Sequence, residues 1–388
     1  MRRLHWTLPA LAACAILVAC GGGGTEDPGN PVGITSVKVM GDSLADSGTF
    51  ATMLGASRTF TVQGSSSEPN VLWTERVTAN VGAPSLCAFY RYTGTTFNAA
   101  PGCTAYAVGG ARINAFTQPG GQQSPFSVVK QLTDAAAVNG SYKSSDLILM
   151  DGGGNDAADL IGAYLAAAKD GGASYAALIG SLLPAATVQA MMSQPQGPEQ
   201  AGVVYMTALA DLFHGAIKSN ALDKGAERIA VLNIPPVTLT PRFQMVLGSI
   251  AASKGEAAAK QAETLFDTWV KTFNARLVKN AGDDKRLVVV DFYDSLQREM
   301  ADPAQYGLTN VTSTACPPTG VGSDGLPTYN FATCTAYALS SMTPPPGATG
   351  GADWWTTYAF SDGFHPTPYG HQLMGQMVAI ELARAGWL

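Results

Sequence analysis

A chain of 388 residues, 46% of them hydrophobic, is long enough for one large core or two ordinary ones. Charged residues make up only 13%, about half of the roughly 25% usual in soluble domains, and the net charge is −6. No Lys/Arg cluster offers a track for phosphates, which argues against nucleic acid as a partner.

Arg2 and Arg3 precede an apolar run from Trp6 to Val18 that is short for a membrane span and reads as an export signal. The run ends Leu17-Val18-Ala19-Cys20, followed by four glycines, Gly21 to Gly24. This resembles a bacterial lipoprotein signal, in which the cysteine is lipidated and becomes the first residue. Cys14 fits the same pattern but leaves a very short apolar region, so Cys20 is the expected site. By that resemblance Gly21, rather than Asp, favours anchoring at the outer membrane or cell surface of a Gram-negative bacterium. The plainer alternative is an ordinary cleaved signal with a coincidental cysteine. Residues 1–20 are then the signal, and residues 21–33, rich in Gly and Pro, a tether.

Ile34–Met40 reads as the first strand and runs into a Gly-Asp-Ser turn. Residues 51–104, rich in Ser, Thr, Gly and aromatics, read as loops and short helices that line a cleft. Ala105–Val108 is a second short strand ending at Gly109-Gly110, and Pro125–Ala137 a helix. Asp146–Asp151 is a fully buried type of strand, followed by Gly152-Gly153-Gly154-Asn155-Asp156 and a long Ala-rich helical region. Arg228–Asn233 and Arg286–Asp291 are further strands, with one long helix or a pair over residues 244–280. Strands alternating with helices predict a doubly wound parallel sheet with helices on both faces. Residues 302–358 break that rhythm and read as a lid or cleft wall inserted before the last helix, about Pro368 to Ala385.

Beyond the signal, four cysteines remain: Cys87, Cys103, Cys316 and Cys334. An even number in an exported chain predicts two disulfides. Three connectivities are open; the pairs nearest in sequence, Cys87–Cys103 and Cys316–Cys334, each close one loop-rich segment and are the expected ones. A zinc site lacks the usual close cysteine spacing.

A serine at the carboxyl end of a buried parallel strand sits where such sheets hold their chemistry. To act as a nucleophile, Ser43 needs a base, a group to orient the base, and donors for an oxyanion. After the signal the histidines are His214, His365 and His371. His214 falls inside a helical run, and His371 in the first turns of the last helix, where it is expected to be exposed. His365 follows Asp362 by three residues, so one turn holds both side chains on one side. Asp42 and Asp46 read as braces of the serine turn, and Asp156 as a cap of the helix after Asn155. Trp354, Trp355 and Tyr358 fit either substrate contact or core packing.

Gly41-Asp42-Ser43-Leu44, Gly153-Gly154-Asn155-Asp156 and Asp362-Gly363-Phe364-His365, in that order, resemble signature blocks of the SGNH (GDSL) hydrolase family. Ala105-Tyr106-Ala107-Val108-Gly109-Gly110-Ala111 resembles the remaining block, with Ala105 where an asparagine is usual. Pro235-Pro236, Tyr306-Gly307-Leu308 and His365-Pro366-Thr367 are similar to the extracellular lipase/lecithinase branch. The resemblance covers about residue 34 to the end, residues 34–388 as one domain. It implies a three-layer α/β/α, flavodoxin-like fold around a parallel sheet, and a serine esterase or lipase acting on lipid-like or short-to-medium acyl esters. It implies Ser43 as nucleophile, His365 as base and Asp362 as its orienting partner. The backbone N–H groups of Ser43 and Gly110 and the Asn155 amide would form the oxyanion hole. No cofactor or metal is implied, and the expected state is a monomer whose partners are an ester and, through Cys20, a membrane. An acyltransferase of the same family, or a catalytically silent surface-binding lipoprotein, is the alternative.

Overall fold

Four short apolar segments build one parallel sheet: β1 (Ser36–Met40), β2 (Asp146–Met150), β3 (Ile229–Leu232) and β4 (Leu287–Val290), hydrogen-bonded in that order. The protein is described here by a computed structural model, which covers residues 33–55, 60–65 and 69–388. The signal, Cys20 and all of the tether but Gly33 lie outside the described residues.

The Ala105 segment joins the free edge of β1. Val39 and Ala105 form a parallel bridge, and the Tyr106 N–H donates to the Val39 carbonyl at 2.7 Å. The Val39 N–H also donates to the Thr104 carbonyl at 3.0 Å and the Val108 N–H to the Gly41 carbonyl at 3.2 Å, but the pairing stays irregular because the Gly41 N–H donates to Gln131 Oε1 at 2.8 Å instead of to this segment. With that segment counted second along the chain, the spatial order is 2-1-3-4-5. This is the flavodoxin-like order, with its switch point between β1 and β2, above whose carboxyl ends ligands sit.

The helices that cover the sheet are α1 (Trp73–Asn80), α2 (Val128–Asn139), α3 (Gly154–Asp170), α4 (Gly197–Asn220), α5 (Pro241–Lys254), α6 (Glu256–Ala281), α7 (Phe292–Ala301) and α8 (Pro368–Arg384). Side-chain alternation along β2 divides them. Leu147 and Leu149 pack with Trp73, Phe292 and Met374 of α1, α7 and α8. Ile148 and Met150 face α2, α4 and α6 through Leu132, Leu209 and Phe273. Burial on both faces is why β2 reads as an unbroken apolar run.

Local signals set several helix starts. The Ser127 hydroxyl accepts from the Lys130 N–H, so α2 begins at Val128 rather than Pro125. Thr367 caps α8 in the same way ahead of Pro368. The helical stretch expected at 244–280 is a pair, α5 and α6, parted at Gly255.

Residues 51–104 contain α1 and also an antiparallel pair, Tyr90–Tyr92 with Phe97–Ala99, absent from the sequence reading. The 302–358 segment is structured too: Asn310–Thr314 pairs in parallel with Tyr358–Phe360, and a short helix spans Ala336–Ser341. Its own small core holds Trp354, Trp355 and Tyr358 around the Cys316–Cys334 bond, which decides those aromatics in favour of packing. Both disulfides, Cys87–Cys103 and Cys316–Cys334, join the pairs nearest in sequence. Among the described residues no helix is long and apolar enough to cross a membrane.

Candidate active site

β1 delivers Gly41-Asp42-Ser43 to the switch point. A side chain at Gly41 would overlap the Asp151 carboxyl at the end of β2, so glycine is what lets the two strand ends meet. Across that contact the Asp42 N–H donates to Asp151 Oδ1 at 2.7 Å, while the Gly41 N–H donates to Gln131 Oε1 at 2.8 Å. Ser43, 6% exposed, is thereby fixed at the floor of a cleft.

The third member comes from the other end of the chain. The loop before α8 is pinned by the Asp362 carboxylate, which accepts the N–H groups of Phe364 at 2.8 Å and His365 at 2.7 Å. The same carboxylate meets His365 Nδ1 at 2.8 and 2.9 Å, and His365 Nε2 stands 2.8 Å from Ser43 Oγ. Burial alone would raise the Asp362 pKa, but His365 and the two backbone donors hold it below the usual carboxylate range. An ionised Asp362 accepts only, so Nδ1 carries the hydrogen and Nε2 is free to accept from the Ser43 hydroxyl. Burial disfavours a charged His365 ring, yet Asp362, with Asp42 behind it, outweighs burial and lifts the ring above its ordinary 6.5.

Phe60 and Phe331 box the His365 ring, with centroids 5.1 and 5.8 Å away. Phe331 is the contribution of the 302–358 segment to the site.

Asn155 opens α3 beside Ser43. Its amide nitrogen donates to Asp42 Oδ2 at 3.2 Å and to the Ala111 carbonyl at 3.1 Å. Gly110, in the left-handed region at φ +77°, is linked to Ser43 indirectly: Asp46 accepts the Gly109 N–H at 2.7 Å. Gly110 is not one of the residues that line the cavity at Ser43. Among the described residues the N–H groups of Ser43 and Gly110 have no acceptor, which leaves both available to a ligand.

Asp42 and Asp46 brace the turn as expected, accepting from Leu44 and from Gly48 and Thr49 respectively. Asp156 does not cap α3. Its two oxygens accept the N–H groups of Ile113 at 2.9 Å and Asn114 at 2.8 Å, because the Gly109–Asn114 loop folds back over the helix start. His371 is fully buried, not exposed: Gly370 brings the first turn of α8 against Ala359, and Gly375 brings the next against Trp73 and Arg76. Burial takes its pKa down to about 3, so the ring is neutral. His214 lies half-buried toward the carboxyl end of α4.

Asp151 was missed by sequence reasoning. Burial first, then the neighbouring Asp42, push its carboxyl well above the usual range, and its Oδ1 buttresses the turn by accepting the Asp42 N–H. The available signal was an acidic residue closing a buried apolar strand at the switch point. Arg112, which follows the Ala105–Ala111 block, pairs with Asp159 at 2.9 Å and donates to the Gly110 carbonyl.

The model of the GDSL-like lipase/acylhydrolase family matches residues 37–378, from β1 into α8. The chain belongs to that family. It is similar to the GDSL esterase/lipase EXL2 of Arabidopsis thaliana, 30% identical over 156 residues, 39% of this chain and 35% of the relative. A second GDSL esterase/lipase of the same plant is 25% identical over 162 residues, 42% of this chain and 41% of the relative. The match thus spans well under half the length of these relatives. In this GDSL protein the serine and histidine blocks, 322 residues apart, meet in one hydrogen-bonded chain.

Proposed function

We propose that this GDSL protein hydrolyses carboxylic esters through an acyl-enzyme on Ser43. The observation that carries the reading is the continuous chain Asp362–His365–Ser43, each link 2.8–2.9 Å, at a cavity whose walls include Leu44, Val237, Phe292 and Phe364. Ser43 Oγ attacks the ester carbonyl as His365 Nε2 takes its proton, and Asp362 stabilises the imidazolium. The carbonyl oxygen becomes an oxyanion, met by the N–H groups of Ser43 and Gly110 and by the Asn155 amide, which turns one hydrogen from Ala111 or Asp42 to the new charge. Collapse breaks the bond to the alkoxy oxygen, which leaves with the proton held by His365. Water then attacks the acyl-enzyme by the same route, releasing the acid and restoring Ser43.

The apolar walls support lipid-like or short-to-medium acyl esters as substrates, with the 302–358 segment as a wall of the cleft. Two disulfides and the Cys20 motif support export and lipid anchoring at the outer membrane.

The test is hydrolysis of p-nitrophenyl esters from acetyl to palmitoyl by wild type and Ser43→Ala, with fluorophosphonate labelling of both. Activity and label on wild type alone are expected; equal activity in Ser43→Ala overturns the mechanism.

A further inference from the structure

The cavity at Ser43 does not stop at its apolar walls. A second cavity lies against it, and Leu44, Pro235, Thr240, Phe292 and Phe364 line both. The inner one is lined by buried side chains including Leu296, Leu308, Phe360 and Met374. It occupies the seam between the core under α7 and α8 and the small core of Leu308, Ala359 and Phe360.

Two side chains depart from this apolar lining: Thr240, at the junction, whose hydroxyl donates to the Val237 carbonyl at 2.7 Å, and Glu299. Glu299 is 7% exposed and belongs to the inner cavity. It shares a stripe of α7 with Phe292 and Leu296, at spacings of four and three residues, so the stripe runs from the junction of the two cavities inward. Phe292 and Glu299 are separated along the helix axis by about 10 Å. Glu299 Oε1 accepts the Ser295 hydroxyl at 3.1 Å, and among the described residues its other oxygen has no hydrogen-bond partner. Burial pushes its carboxyl up to about 7, the Ser295 hydroxyl offsetting only part of that. A carboxyl in apolar surroundings with one neutral partner is costly, and a leucine or methionine would line the space without that cost. The catalytic chain makes no use of it.

We propose that the inner cavity receives the acyl chain of the ester attacked by Ser43, and that Glu299 hydrogen-bonds a hydroxyl near the far end of that chain. The favoured substrates are then esters of medium-length hydroxyacyl acids. The inference rests on Ser43 being the acylated residue. The chain leaves the carbonyl past Leu44, passes between Phe292 and Phe364, and lies along Leu296 until its hydroxyl reaches the carboxyl. A plain alkyl chain fills the same space but leaves Glu299 without its second partner, and sites built around a hydrogen bond discriminate strongly against ligands that lack it.

The experiment compares methyl esters of terminally hydroxylated and unsubstituted acids, from hexanoate to dodecanoate, by pH-stat titration with the full chain. At one length the hydroxyacyl ester is expected to have the higher kcat/KM by about tenfold or more. Glu299→Leu is expected to abolish that preference, and Glu299→Gln, which keeps a hydrogen-bonding end, to retain most of it. Leu296→Trp, which fills the inner cavity, is expected to lower the decanoate-to-hexanoate ratio of kcat/KM for both ester types; it keeps the test in force where Glu299→Leu fails to fold. A hydroxyacyl-to-alkyl ratio near one at every length, or a preference untouched by Glu299→Leu, overturns the inference while leaving the ester hydrolase intact. No hydrolysis of any ester, with no fluorophosphonate label on Ser43, overturns the hydrolase reading and this inference together.

Discussion

The Asp46 carboxylate ties the turn that carries Ser43 to the Gly109 N–H, at 2.7 Å. Its other oxygen accepts the N–H groups of Gly48 at 2.9 Å and Thr49 at 2.6 Å. One buried side chain thus fixes the distance between the nucleophile and Gly110, although it touches neither.

Asp46→Ala leaves the buried N–H groups of Thr49 and Gly109 and the half-buried one of Gly48 without an acceptor, and is expected to cost about 3–5 kcal/mol of stability. Urea unfolding measures this. Asp46→Asn, which keeps one oxygen, should lose less; a loss below about 1 kcal/mol in the alanine variant would show that the two loops are held by something else.

Asn155→Ala is expected to reduce kcat by about 10²–10³ with little change in KM, as for a donor whose bond strengthens only when charge develops on the substrate. Steady-state kinetics on one ester separates the two constants. A loss confined to KM would assign Asn155 to ground-state binding.

His365 must be neutral to take the Ser43 proton. Burial lowers its pKa, but Asp362 and Asp42 more than compensate, so the ring stays protonated to a higher pH than the ordinary 6.5. The acid limb of kcat/KM should therefore rise with pH through a midpoint above 6.5. Asp362→Asn removes the main raising influence and the orienting carboxylate: the midpoint should fall, and kcat drop by about 10⁴. A wild-type midpoint below 6 would contradict the charge balance described here.

The Cys316–Cys334 bond closes a loop of separation 18 under Trp354 and Leu339. Replacing both cysteines by serine is expected to destabilise the protein by about 3 kcal/mol. Because Phe331 lies within that loop and packs on His365, fluorophosphonate labelling of Ser43 should also slow. Labelling at the wild-type rate would separate the loop from the site.

Sequence patterns determined much of this protein because the features involved are local. The unbroken apolar run of β2, each of the serine, glycine, asparagine and histidine blocks taken singly, the Asp362–His365 spacing and the nearest-neighbour cysteine pairs are set by residues close together in the chain. Tertiary packing decided the rest. His371 occupies a turn that propensity leaves solvent-facing, and only the approach of α8 to α1 and Ala359 buries it. Asp156 has the position of a helix cap, but a loop more than forty residues earlier supplies the donors its oxygens accept. Asp151 and Glu299 carry no motif at all. What matters in each is a carboxyl removed from water by distant segments packed around it, and burial of a charge is a property of the folded surroundings, which local sequence does not encode.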